Sequence, residues 1–312
     1  MLLDLLRAKP PQNRQEAAAS IRAASRIGGP AALRLIGDIL AEHVRLSRSP
    51  VDDEVISAWR LFKPEQYVAE VLARSWPAEK DLQVPDPAFL EALHLFPELR
   101  TLRCELRGAS GPGLPAFTPG QELRSVTLTG CGEDLDLSPL LQLSSLDNVE
   151  LSAGRRLPRL QVLGAVPREW TLTLESPACA DRLPELTGLD TLTMLHLRGG
   201  NDLRDLGGLP ARPKALQSLS LYGFPNLASL DGIERWQGLV TIEFFDCPQL
   251  TSFAPLASLT SLESVSPGLF AESPRDLSPL ASLPRLRELS LRGHSEFGRR
   301  RAKRRRCCTL RR

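Results

Sequence analysis

Histidine and cysteine are the residues best able to ligate a metal or to pair a nucleophile with a base, and the chain has four of the first and six of the second. His43, His94, His196 and His294 stand far apart, and none belongs to a His-Glu-x-x-His pair. Cys104, Cys131, Cys179 and Cys247 occur singly, without the Cys-x-x-Cys spacing of a zinc site. Cys307 and Cys308 are adjacent and flanked by arginines, which lowers a thiol pKa, but no base or orienting group accompanies them. Neither a Gly-x-Ser-x-Gly elbow nor a Gly-x-x-x-x-Gly-Lys-Ser/Thr phosphate loop occurs; the glycine-rich GASGPGLP at 108–115 has no lysine. No catalytic, metal or cofactor site is expected, and the chain reads as a non-enzyme.

Noncovalent recognition is the chemistry that remains. Met194, His196 and Arg198 alternate along one short segment, Tyr222 stands in a second, and Glu243 and Phe245 alternate in a third. Arg198, Tyr222 and Phe245 follow one another at steps of 24 and 23 residues, so a structure with that period sets them side by side. Tyr and Arg dominate protein-binding hot spots, and aromatics generally are enriched in interfaces. Stacked aromatics also stabilise neighbouring strands, so a purely structural role stands beside the functional one. These six residues form the expected protein-binding site.

Positioning them requires a repeat. Equivalent first positions fall at Leu99, Leu123, Leu146, Glu169, Leu192, Leu216, Leu239, Leu262 and Leu286, always 23 or 24 residues apart. Positions 4 and 6 are apolar, as in Leu195/Leu197, Leu219/Leu221 and Ile242/Phe244, and alternate with polar neighbours; the unit from Leu262 keeps only Val265, because Pro267 occupies its position 6. That alternation predicts a short strand with one buried face. Apolar residues three apart follow, as in Leu203, Leu206 and Leu209, or Leu227, Leu230 and Ile233, or Leu250, Phe253 and Leu256. They suit a tight turn that returns the chain. The phrase DLSPL recurs at 136–140 and 276–280. One such coil cannot bury its leucines alone, whereas stacked coils can. Positions 3, 5 and 7 then face outward.

The pattern LxxLxLxx(C/N)xxLxxLxxL, seen in LVTIEFFDCPQLTSFAPL (239–256) and LTMLHLRGGNDLRDLGGL (192–209), resembles the leucine-rich repeat family. The resemblance implies an α/β repeat fold: a leucine-rich-repeat solenoid with a curved parallel sheet, over about nine units at 97–297. Glu169 replaces a first leucine and Pro267 interrupts a strand, so kinks are expected near 167–170 and 264–275.

Residues 1–96 do not follow the repeat and read as an all-helical segment or cap. NRQEAAASIRAASRI (13–27) has helical composition and ends at Gly28-Gly29; Pro30 suits the first turn of a helix over 31–47. Asp52 and Asp53 open a helix running through Trp59 and Phe62, and Pro64 begins another with Tyr67, Val71 and Leu72 on one face. Three prolines mark 76–87 as a linker. SAWRLFKPEQYVAEVLARSW (57–76) resembles the helical stretch that precedes the repeats in bacterial NACHT-type (STAND) receptors. That resemblance implies the sensor part of such a receptor, with the NTPase module carried by a partner.

Formal net charge is +2, but residues 299–312 hold nine Lys or Arg and no acid, leaving a balance of −7 elsewhere. The tail over 298–312 reads as a disordered basic arm for nucleic acid or an acidic surface, or as an accidental terminus such as a shifted reading frame. No 18-residue apolar run exists and MLLDLLRAKPPQ is too short for a signal peptide, so no membrane contact and a cytoplasmic location are expected. The expected function is a non-catalytic protein-recognition module, the sensor part of a receptor-like or scaffold protein. Nucleic-acid binding through the tail is the alternative.

Overall fold

The computed structural model describes residues 2–290 apart from 107–112, 119, 180–183, 186–187, 202, 209–214 and 269–275. The chain forms two compact units. One runs to Gly130 and includes Ser138–Leu146; the other comprises Cys131–Leu137 and the chain from Asp147 onward.

The first unit opens with four helices, α1 (Leu2–Ala8), α2 (Arg14–Ile27), α3 (Pro30–His43) and α4 (Pro50–Trp59). A further helical stretch covers 64–75 and passes through a π turn at Val68–Leu72. Local chemistry sets these ends. The Asn13 side chain accepts hydrogen bonds from the Gln15 and Glu16 amides at the start of α2. Pro30 and Pro50 occupy first-turn positions, where no amide hydrogen is needed. Helix α3 stops at His43, short of the expected 47. Helix α4 starts at Pro50, ahead of the expected Asp52, because Asp52 Oδ2 accepts from the Ser49 amide at 2.8 Å and fixes the first turn there. Ile21, Ile36, Leu40, Val55, Trp59, Tyr67, Val71 and Leu72 are fully buried between the helices. Tyr67 donates its hydroxyl to Val55 O at 2.8 Å, so its polar tip is satisfied inside the core. Gly37 allows the π turn to approach α3: a Cβ there would lie 3.0 Å from Glu70 O.

The segment 76–87 is not a linker. Trp76 and Lys80 are buried, and β1 (Leu82–Val84) pairs in parallel with β2 (Thr101–Glu105). Strand β2 in turn pairs with β3 (Ser125–Thr129). Pro87 begins a 3-10 helix at Pro87–Leu95, capped by Asp86, rather than breaking structure. With only Leu82 and Val84 facing inward, β1 is too short for its periodicity to outweigh the flanking prolines.

The second unit contains β4 (Asn148–Ser152), β5 (Trp170–Glu175), β6 (Leu192–Arg198), β7 (Ser218–Tyr222), β8 (Thr241–Phe245), β9 (Ser264–Ser266) and β10 (Glu288–Leu289). Each pairs in parallel with its successor. Short 3-10 turns at Gln161–Ala165, Ile233–Arg235, Ala254–Ser258 and Ser278–Ser282 return the chain. Leu195, Leu197, Leu219, Leu221, Ile242 and Phe244 are all 0% exposed, as the inward assignment of positions 4 and 6 requires. Leu203, Leu206, Leu227, Leu230, Ile233, Leu250, Phe253 and Leu256 fill the same core; Leu209 lies outside the described residues. This is the leucine-rich-repeat solenoid with an N-terminal helical segment that the spacing predicts.

The irregular places have physical causes. Glu169 is exposed, and Trp170 takes the inward first position opposite Leu192. The register then shifts, because Thr193 is an extra residue in β6; its hydroxyl donates to Trp170 O at 3.1 Å. Strand β9 is only three residues long. Gly268 follows it at φ +53°, so close to β8 that a Cβ would sit 1.9 Å from Phe244 O.

Candidate functional site

The strand registers decide which outward side chains meet. Across β6, β7 and β8 the rows are Met194–Ser218–Thr241, His196–Ser220–Glu243 and Arg198–Tyr222–Phe245. Adjacent strands lie about 4.8 Å apart, the spacing at which flat side chains stack. Tyr222 and Phe245 do so, with ring centroids 4.7 Å apart and planes 7° from parallel. The Arg198 guanidinium lies 5.8 Å from the Tyr222 ring centroid, within cation–π range. The His196 ring is tilted at 6.5 Å from Tyr222. Five of the six expected residues thus form one cluster. Met194 lies at the other end of β6, 39% exposed, between Thr171 and Ser218, and takes no part in the ring ladder.

Two residues absent from the sequence-derived set complete the cluster. Glu150, from β4, accepts from Arg198 Nη1 at 3.0 Å and so holds the guanidinium beside Tyr222. Ser220 donates its hydroxyl to Glu243 Oε2 at 3.1 Å, and the Tyr222 hydroxyl donates more weakly to the same oxygen at 3.4 Å. Both stand at position 5 of their units. The outward assignment locates them, but nothing in an isolated Glu or Ser marks it as a partner.

Electrostatics follows from this packing. Burial pushes the His196 pKa below its ordinary value and the Arg198 charge adds to the effect; Glu243 and Glu150 oppose it without reversing it. Burial raises the Tyr222 pKa, with Glu243 acting in the same direction. Every side chain of the cluster offers hydrogen bonds, charge or ring faces. The Ser220 hydroxyl is paired with the Glu243 carboxylate.

The other residues able to do chemistry are dispersed. Cys104, Cys131, Cys179 and Cys247 are buried on different coils, and burial pushes the Cys131 thiol up to about 12. His43 is half-buried with its Nε2 atom unsatisfied, and His94 is exposed with Nδ1 2.7 Å from Glu91 O. Among the described residues no three His, Cys, Asp or Glu side chains converge on a metal position, and no helix is long and apolar enough to cross a membrane. His294, Cys307, Cys308 and the basic tail lie outside the described residues.

No protein-family model and no curated protein matches the chain. Among solved structures, an internalin (inlF) from Listeria monocytogenes str. 4b F2365 is 13% identical over 87% of this chain and 93% of that one, with a TM-score of 0.30. Internalin C2 (inlC2) from the same strain is 18% identical over 83% of this chain and 91% of that one, with a TM-score of 0.36. TLR13, solved as a complex with ssRNA13, is 12% identical over 73% of this chain and 47% of that one, with a TM-score of 0.32. At these identities and scores the likeness says nothing of a ligand; the repeat fold rests on the registers and buried leucines of the chain itself.

Proposed function

We propose that the chain is a non-catalytic protein-recognition module whose partner docks on the outward face of β6, β7 and β8. One observation carries this reading: the Tyr222–Phe245 stack with Arg198 beside it, on a face whose other described side chains are mostly small and polar or acidic. Interface hot spots combine large aromatic area with arginine, surrounded by contacts that exclude water. A ladder serving only the sheet contributes about 0.2–1 kcal/mol per cross-strand pair. The two roles therefore separate in a binding assay.

The reading extends to the setting. The chain acts as the sensor part of a receptor-like or scaffold protein, in line with the resemblance of 57–76 to the stretch preceding NACHT-type repeats. An NTPase module is then supplied by a partner. Four buried cysteines on separate coils suit a reducing, cytoplasmic compartment. A second reading, nucleic-acid binding, is supported by nine basic residues without an acid in 299–312. A salt-sensitive gel shift lost on deleting 299–312 would favour it.

Site-specific photo-crosslinking in the native cell tests the main reading. A crosslinking phenylalanine in place of Thr241, in β8, should trap the partner protein; the same residue in place of Thr129, in β3, should not. Equal yields at the two positions would defeat the proposal.

A further inference from the structure

The cluster contains one arrangement that is complete and a second that is not. On the β4 side, the Glu150 carboxylate, the Arg198 guanidinium and the Tyr222 ring meet as acid, cation and aromatic. On the β8 side stand a second acid, Glu243, and a second aromatic, Phe245, one strand on from Ser220 and Tyr222. Among the described residues Glu243 pairs with no Lys or Arg; its partners are two hydroxyls, those of Ser220 and Tyr222, both on Oε2. A half-buried carboxylate is under-compensated by neutral donors alone.

The described neighbours do not supply the charge. His196 shares the row, but burial and Arg198 lower its pKa and so disfavour its charged form. Arg198 is engaged by Glu150. At outward positions of β4 to β10 the described residues include Glu150, Glu175, Glu243 and Glu288 against Arg198 alone, a negative excess among the described side chains.

We infer that the partner protein presents an arginine, whose guanidinium pairs with Glu243 and lies against the Tyr222–Phe245 stack. This rests on the protein-recognition reading and adds the chemistry of the partner. Arginine fits better than lysine because its planar fork can donate two parallel hydrogen bonds to a carboxylate while its face covers a ring. The chain's own Glu150–Arg198–Tyr222 group shows that this strand spacing accommodates the combination.

The test uses the full chain and an array of synthetic 15-residue peptides. Each bound peptide is remade with its arginines changed to citrulline, which keeps the shape without the charge, to lysine, or to glutamate. Binding is expected to be strongest for arginine and to fall by about tenfold or more with citrulline, the scale of one charge-assisted hydrogen bond. Glu243→Gln should erase the difference between arginine and citrulline peptides. Glu175→Gln, which changes net charge equally, should leave it intact. Peptide binding that is lost in Tyr222→Ser/Phe245→Ser but is indifferent to arginine, citrulline or glutamate would overturn the inference and spare the recognition surface. Binding that survives Tyr222→Ser/Phe245→Ser, or no binding to any peptide, would overturn both.

Discussion

Replacing Lys80 by Met should unfold the N-terminal helices more readily than any surface change in them. Lys80 is 3% exposed, and its ammonium lies 2.9 Å from Asp52 Oδ2 in α4. It also donates to the carbonyls of Arg45, Leu46 and Ser47 in the segment between α3 and α4, and sits 5.2 Å from the Trp76 ring centroid. One side chain thus ties the chain leading into β1 to two places in the helical segment. Methionine keeps most of the stem and removes the charge. Asp52, itself 5% exposed, is then left as a buried carboxylate without its cation. Breaking a buried pair from one side costs about 3–5 kcal/mol, a large part of the roughly 5–15 kcal/mol that holds a domain together. Lys80→Met/Asp52→Leu removes both charges and should recover part of the loss. It still forfeits the bond from the Ser49 amide to Asp52, worth about 1 kcal/mol. Urea denaturation at pH 7, followed by far-UV circular dichroism, measures both. A single variant costing less than about 1 kcal/mol, or a double variant costing more than the single, would refute the argument.

Three further outcomes follow from the repeat. Leu219→Ala, at a 0% exposed position, should cost about 2–5 kcal/mol in the same assay, whereas Ser218→Ala one residue earlier should change little. Gly268→Ala combines a positive φ of +53° with a Cβ 1.9 Å from Phe244 O, so it should destabilise the chain by about 1–3 kcal/mol or displace β9; a neutral effect would contradict the backbone there. His196 should titrate, by proton NMR, with a midpoint below the ordinary 6.5. Its folded pKa is depressed, so the stability it contributes is present above 6.5 and is lost as pH falls through the lower folded value. His196→Gln should remove that part of the pH dependence.

The solenoid was legible because leucine spacing is dictated by the core. Positions 4 and 6 must point inward in every coil, and one slipped residue would expose the whole set. Even the failure at Glu169 left a trace, since the inward residue is its neighbour Trp170 and the extra residue Thr193 absorbs the difference. Strand β1 was hidden for the opposite reason: two inward residues between prolines give no period to detect. In the candidate site, the alignment of Arg198, Tyr222 and Phe245 could be read from steps of 24 and 23 residues. The link from Arg198 to Glu150 could not, because it spans two strands and depends on a long side chain's rotamer. Met194 joined the expected set only through alternation along β6, and alternation fixes a face without fixing contacts.

The claim that the outward face of β6, β7 and β8 grips a partner is tested most directly by the affinity of Tyr222→Ser/Phe245→Ser for the crosslinked partner, once purified. Removal of two hot-spot aromatics should weaken binding by at least about 30-fold, at 2 kcal/mol or more for a single hot spot, while thermal unfolding stays cooperative. An affinity within threefold of the unaltered chain, with the fold intact, would assign the ladder to the sheet and leave the surface without its function.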